Sequence, residues 1–163
     1  MNNIKFFRNL FLILFTSPLF SQLSSDECLE QLSIFAESAK IKNYQAAYEP
    51  WKTVLENCPK LSLATYQYGE IILKDFIKKS ESEENKSKYL NDLLSLYDLW
   101  AENFPERKGV RQIGKIFSSK GQAMLDNGIK NKELIYDTFD YAFQNDPKSC
   151  LLYTSPSPRD SSA

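Results

Sequence analysis

The chain has 163 residues, of which 42% are apolar, 25% charged and 13% aromatic, with 5 Gly, 3 Cys and no His; this suits one globular domain or a short helical array and is too apolar for wholesale disorder. The missing His excludes Ser-His-Asp and Cys-His nucleophiles and His-ligated metals, and the glycines form no phosphate-cradling loop, so no cofactor or metal is expected. Twenty Lys+Arg against 21 Asp+Glu leave a net charge of −1, without the basic excess that would hold nucleic acid.

Residues 1–22, MNNIKFFRNLFLILFTSPLFSQ, have the parts of a secretory signal: Lys5 and Arg8, then the apolar run Leu10 to Phe15, then Ser17 and Pro18 ahead of the small residue Ser21. Cleavage beside Ser21 and Gln22 and export to the periplasm or cell envelope are expected. The apolar run is far short of the roughly 20 residues that span a bilayer, so no membrane span is expected after cleavage. Retention as an anchor and burial as a core helix are the alternatives. Residues 23–149 carry 17 basic and 20 acidic side chains, a net −3.

From there helical period dominates. In the first helix Leu29, Leu32, Phe35, Ala36 and Ala39 form one apolar stripe, with Ser25 or Asp26 as cap and Glu27 in the first turn. A second stripe, Tyr44, Ala47, Trp51, Val54 and Leu55, ends at Pro59, and Pro50 inside it is expected to kink the helix, because it removes an N–H and crowds the carbonyl of Ala46. The third helix spans about Ser62 to Lys79, with Leu63, Tyr66, Ile71, Leu73, Phe76 and Ile77 as its apolar residues. Ser80 to Lys88 reads as a solvated loop. The fourth helix, about Lys88 to Asn103, carries Leu90, Leu93, Leu94, Tyr97, Trp100 and Ala101. After a break at ERKG, the fifth helix (about Val110 to Asp126) places Ile113, Ile116, Phe117, Met124 and Leu125, with Gly128 as a left-handed stop. The sixth, about Lys132 to Asn145, has Asn131 as cap and Leu134, Ile135, Phe139, Ala142 and Phe143 as apolar residues, and stops before Pro147. No segment alternates long enough to read as a strand, so the fold expected is all-α.

The even-numbered helices share a layout of apolar, aromatic, small-or-apolar pair and proline. The three sets are Ala47, Trp51, Val54-Leu55 and Pro59; Leu93, Tyr97, Trp100-Ala101 and Pro105; and Ile135, Phe139, Ala142-Phe143 and Pro147. This rhythm resembles the second helix of the tetratricopeptide repeat. Tyr68-Gly69 and Lys120-Gly121 fall where the first helix of that family places a Leu-Gly pair, a small residue that lets neighbouring helices approach. The prolines are 46 and 42 residues apart instead of 34, and Phe35 stands in the first unit where Gly would be expected. The resemblance is therefore to a divergent array covering Asp26 to Lys148. It implies three antiparallel helix hairpins, units of about 26–60, 61–106 and 107–148, in a right-handed α-solenoid. An ordinary bundle with recurrent stripes is the alternative. The pattern DECLE…NYQAAYEPWKTVLENCPK…YDTFDYAF is also similar to exported tetratricopeptide proteins of Bacteroidetes-type bacteria, a likeness that assigns no activity.

Within such an array Cys28 opens the first helix and Cys58 closes the second, which sets them side by side in a hairpin and, in an oxidising compartment, predicts a disulfide; two buried thiols are the alternative. The third cysteine, Cys150, begins CLLYTSPSPRD, which resembles the translation of a sequencing-library transposon adapter. Residues 150–163 are accordingly read as a non-native, irregular tail, with a natural Ser/Pro-rich tail as the alternative, and the native chain is expected to continue past Ser149.

The carboxylate pairs Glu83-Glu84, Glu27 with Glu30, and Asp137 with Asp140 lie on polar faces, where nothing would desolvate one member for acid–base work. Catalysis is not expected. Tyr48 and Tyr141 fall off the stripes and are read as exposed. In the family resembled, first helices line a concave surface that captures peptide segments, which makes Tyr66, Gln67, Glu70 and Lys74 the candidate contacts. The function expected is a protein-binding scaffold of the envelope. The alternatives are a structural stretch of a longer exported protein and, least in keeping with the residues, a carboxylate enzyme.

Overall fold

The structure, a computed structural model, describes residues 23–146. The expected leader, the adapter-like tail and Pro147 lie outside the described residues. Six helices account for most of the described chain: α1 Ser25–Lys40, α2 Tyr44–Asn57, α3 Leu63–Lys79, α4 Glu83–Asn103, α5 Ile113–Asp126 and α6 Lys132–Asn145. The fold is all-α, as its periodicity predicts. One short antiparallel ribbon, β1 Glu106–Arg107 and β2 Val110–Arg111, separates α4 from α5. The sequence shows no strand there because two residues a side give no alternation to read.

Local chemistry sets the helix ends. Ser24, one residue before the expected cap, closes the start of α1 in a reciprocal box: its hydroxyl accepts from the Glu27 N–H while the Glu27 carboxylate accepts from the Ser24 N–H at 2.7 Å. Asn43, Ser62 and Asn131 cap α2, α3 and α6 with their side-chain oxygens. The α5 stop is a Schellman motif: Gly128 has φ +68°, its N–H donates to the Leu125 carbonyl, and the Ile129 N–H donates to that of Met124. The end of α1 repeats the motif with Lys42 at φ +60° in the place usually filled by glycine. The fourth helix starts at Glu83, five residues earlier than expected. Its first turn has no apolar residue to reveal it, but Ser82 caps it and Glu83 and Glu84 oppose the positive end of the helix dipole. Pro50 lies inside α2, which continues through it.

Each helix packs on its neighbours in the chain, and α1 also touches α3. Cys28 and Cys58, the first turn of α1 and the residue after α2, lie with Cα atoms 6.4 Å apart and are disulfide-bonded, so these two helices run antiparallel. At the other end Gly114, in the first turn of α5, lies against Asp146 beyond the end of α6, the same antiparallel arrangement. The core runs through Phe35, Trp51, Tyr66, Ile72, Leu73, Leu93, Tyr97 and Ile116; each large side chain so enclosed contributes about 1.5–3 kcal/mol by leaving water. Phe35 sits edge-on to Tyr68 of α3, which is how α1 reaches past α2.

Two glycines govern the close approaches. A Cβ on Gly69 would stand 2.5 Å from the Trp51 Nε1, and one on Gly121 would stand 2.7 Å from the Phe139 Cζ. The Trp51 ring is held there by its indole N–H, which donates to the Thr65 carbonyl at 2.8 Å. Of the repeated-layout residues, Ala47, Trp51, Leu93, Tyr97, Phe139 and Ala142 are buried, Leu55, Ala101, Ile135 and Pro59 are half-buried, and Pro105 is exposed because it leads into β1. Several apolar residues expected on the inner stripes face outward instead: Leu29, Ile71, Leu125, Leu134 and Phe143. A helix packed on one or two neighbours buries a narrower arc than a stripe of five residues covers.

Candidate functional site

A groove with an aromatic lining opens between α3, α4 and α5 and has a volume of about 280 Å³. From α3 come Leu63, Gln67, Glu70 and Ile71, residues at helical spacing that share one face. Tyr97, Trp100 and Phe104 supply a wall from α4 and the residue after it. Arg107 of β1, together with Lys115, Ile116 and Ser119 of α5, closes the far side. Gln112 joins them with its side-chain amide already donating to the Val110 carbonyl at 3.0 Å. Apolar and aromatic surface with a few placed polar groups is the usual make-up of a binding groove.

Two of the four expected partner contacts, Gln67 and Glu70, line this groove. Lys74 stands one turn beyond, with its ammonium donating to Glu70 Oε1 at 2.7 Å. The same oxygen accepts from the Tyr97 hydroxyl at 2.9 Å. Burial, with the Glu70 charge close by, pushes the Tyr97 phenol well above its ordinary range, so Tyr97 remains a proton donor to that carboxylate. Tyr66, by contrast, is fully buried and cannot touch a ligand. Its hydroxyl donates to the Pro59 carbonyl at 3.0 Å, and its ring packs 5.9 Å from Trp100 and 5.5 Å from Phe104. It supports the aromatic wall from behind, and burial raises its phenol to about 12.

Ile71, expected in the core, is 45% exposed and forms part of the groove rim. Phe104, Arg107 and Lys115 lie off the stripes read from the sequence, and Arg107 and Lys115 come to share a groove with Trp100 only through the turn at Lys108 and Gly109. Both residues have positive φ (51° and 74°), the mark of a type I′ turn, which folds β2 back on β1 and leads directly into α5. A Lys-Gly pair between Arg107 and Val110 is the one sequence signal that could have located it.

Of the carboxylate pairs, Glu27 is shifted downward by its hydrogen bonds to Ser24, the opposite of what a general acid requires. Among the described residues no group of three His, Cys, Asp or Glu side chains is placed to hold a metal ion, and no helix is long and apolar enough to cross a membrane. Tyr141 is exposed as expected and packs on Phe117 at 4.6 Å, whereas Tyr48 is half-buried in a cluster with Trp51, Phe76 and Tyr89. No family model, no curated protein and no solved structure matches the chain.

Proposed function

We propose that this protein is an exported, divergent tetratricopeptide-like scaffold without catalytic activity, with three helix hairpins stacked as a solenoid and a segment of a partner protein bound on the concave side. The observation that carries the reading is the α3–α4–α5 groove, where Ile71 and the half-buried Trp100 present apolar surface beside Gln67 and Ser119. Glycines Gly69 and Gly121 beneath the aromatics of the preceding or next helix agree with the close helix approach that such arrays use. A rigid groove binds without first being ordered, which favours affinity for a short segment. The exposed Leu134 and Tyr136 on α6 favour a second reading, in which these helices are a structural stretch on which further helices stack.

The test is selection of short peptides displayed against the purified chain, followed by titration of the winners. Binding is expected to quench or shift the Trp100 emission and to be lost in Ile71→Asp, whose exposed site leaves the core untouched. Peptides that bind both proteins equally would refute the groove as the site.

A further inference from the structure

Building on the proposal that the groove receives a partner segment, we infer that it selects segments with an acidic side chain close to an apolar one. The carboxylate is taken by Arg107 and Lys115, and the apolar group lies against Ile71, Trp100 and Phe104.

The distribution of charge around the groove is uneven. All five ion pairs among the described residues use lysines of the helices: Lys40, Lys52, Lys74, Lys79 and Lys120. None of the four cations in the stretch from Arg107 to Lys115 takes part in one. The register of the β-ribbon explains why Arg107 lacks a partner. Glu106, the acid next to it in the chain, stands across from Arg111, while Arg107 stands across from Val110. Successive strand residues point to opposite faces, so Glu106 and Arg107 are turned away from each other. On the α3 side, Glu70 is the groove's single carboxylate, and both the Tyr97 hydroxyl and the Lys74 ammonium already bind it. The groove thus holds two cations that form no ion pair among the described residues, within a region of net −3.

Such local charge imbalance is what electrostatic complementarity exploits: it selects partners and speeds their encounter more than it adds raw affinity. Arg107 also offers a planar fork suited to a carboxylate. Ile71 and Trp100 lie on α3 and α4, Phe104 directly after α4, and the cations on β1 and α5. A ligand spanning the groove therefore meets both chemistries together.

The experiment uses capped twelve-residue peptides with a Leu-Phe centre flanked by Glu, by Gln or by Lys, measured by fluorescence anisotropy on the full chain. Glu-flanked peptides are expected to bind about tenfold tighter than Gln-flanked ones at 50 mM salt, with the gap closing at 500 mM. The double variant R107Q/K115Q should erase that gap, bringing the Glu-flanked affinity to that of the Gln-flanked peptide; both side chains are exposed, and far-ultraviolet circular dichroism checks that the helices persist. If Glu- and Gln-flanked peptides bind equally while Ile71→Asp abolishes both, the charge selectivity is wrong and the groove stands. Binding unaffected by Ile71→Asp overturns the groove and this inference together. Vesicles containing anionic lipid that bind the chain through Arg107 and Lys115, with no peptide preference, overturn the inference in favour of a membrane surface.

Discussion

Trp51 and Phe139 hold equivalent places in the repeated layout of the even helices, and each lies over a glycine, yet they do different jobs. Trp51 of α2 rests on Gly69 of α3, the next helix in the chain, and is tied there by a hydrogen bond to Thr65. Phe139 of α6 rests on Gly121 of α5, the helix before it. The first contact joins the α1–α2 pair to α3, whereas the second closes the α5–α6 pair on itself. The repeated layout therefore leaves open which neighbouring helix receives its aromatic, and in the middle unit the equivalent Tyr97 reaches a carboxylate, that of Glu70. The two regions also differ in their covalent support. The Trp51 region carries the Cys28–Cys58 bridge, whereas α5 and α6 rely on packing and caps.

The largest effect should come from removing the rings. Trp51→Ala leaves a cavity and removes the interhelix hydrogen bond to the Thr65 carbonyl and should cost about 4–5 kcal/mol in urea unfolding, against about 3 kcal/mol for Phe139→Ala. Equal costs would break the distinction between a joining and a closing aromatic. Replacing both Cys28 and Cys58 by Ser should cost about 3–4 kcal/mol through the freed loop, read as a lowered midpoint in the same titration. Adding a methyl group sharpens the comparison further. Gly69→Ala should cost about 2–3 kcal/mol because the indole is pinned by its hydrogen bond, and Gly121→Ala about 1–2 kcal/mol because Phe139 retains an edge at the surface and can shift.

Alkaline pH gives a loss confined to one window. Tyr48 and Tyr66 hold their protons to about 12, each chiefly through burial, whereas unfolded phenols ionise near 10. The folded chain then binds more protons than the unfolded one, so this contribution is intact below pH 10 and drains away as pH rises to 12. Thermal midpoints recorded from pH 9 to 12 should fall across that interval and stay level below it as far as these groups are concerned. The smallest effect is a gain. Lys42 occupies a left-handed position at the end of α1, and Lys42→Gly should add about 0.5–1 kcal/mol, visible as a rise of a few degrees in the thermal midpoint.

Much of the helical frame is legible in the residues because its causes are local. The stripes through Ala47, Trp51 and Val54, the cap at Asn131 and the left-handed Gly128 each act within one or two turns of chain. Gly69 and Gly121 are legible for a related reason: a residue without a Cβ in a helix interior calls for a close neighbour. The first turn of α4 is hidden because it is helical without being apolar, and Leu29, Ile71 and Leu134 mislead because an apolar residue at helical spacing need not have a helix facing it. At the candidate site Gln67 and Glu70 are recoverable from their place on α3. Tyr66 misleads because an aromatic on that same face turns inward onto Trp100 and Phe104.

The sequence alone thus determined the all-helical character, the ends of most helices and the pairing of Cys28 with Cys58, since each depends on neighbours in the chain or on the ends of one helix pair. Tertiary structure decided which helix receives Trp51, that Ile71 faces outward, and that Arg107 and Lys115 share a groove with Trp100. Those outcomes rest on a two-residue turn at Lys108 and Gly109 and on the packing of three separate helices. No local period records such relations, because the side chains involved come from segments as far apart as Leu63 and Ser119.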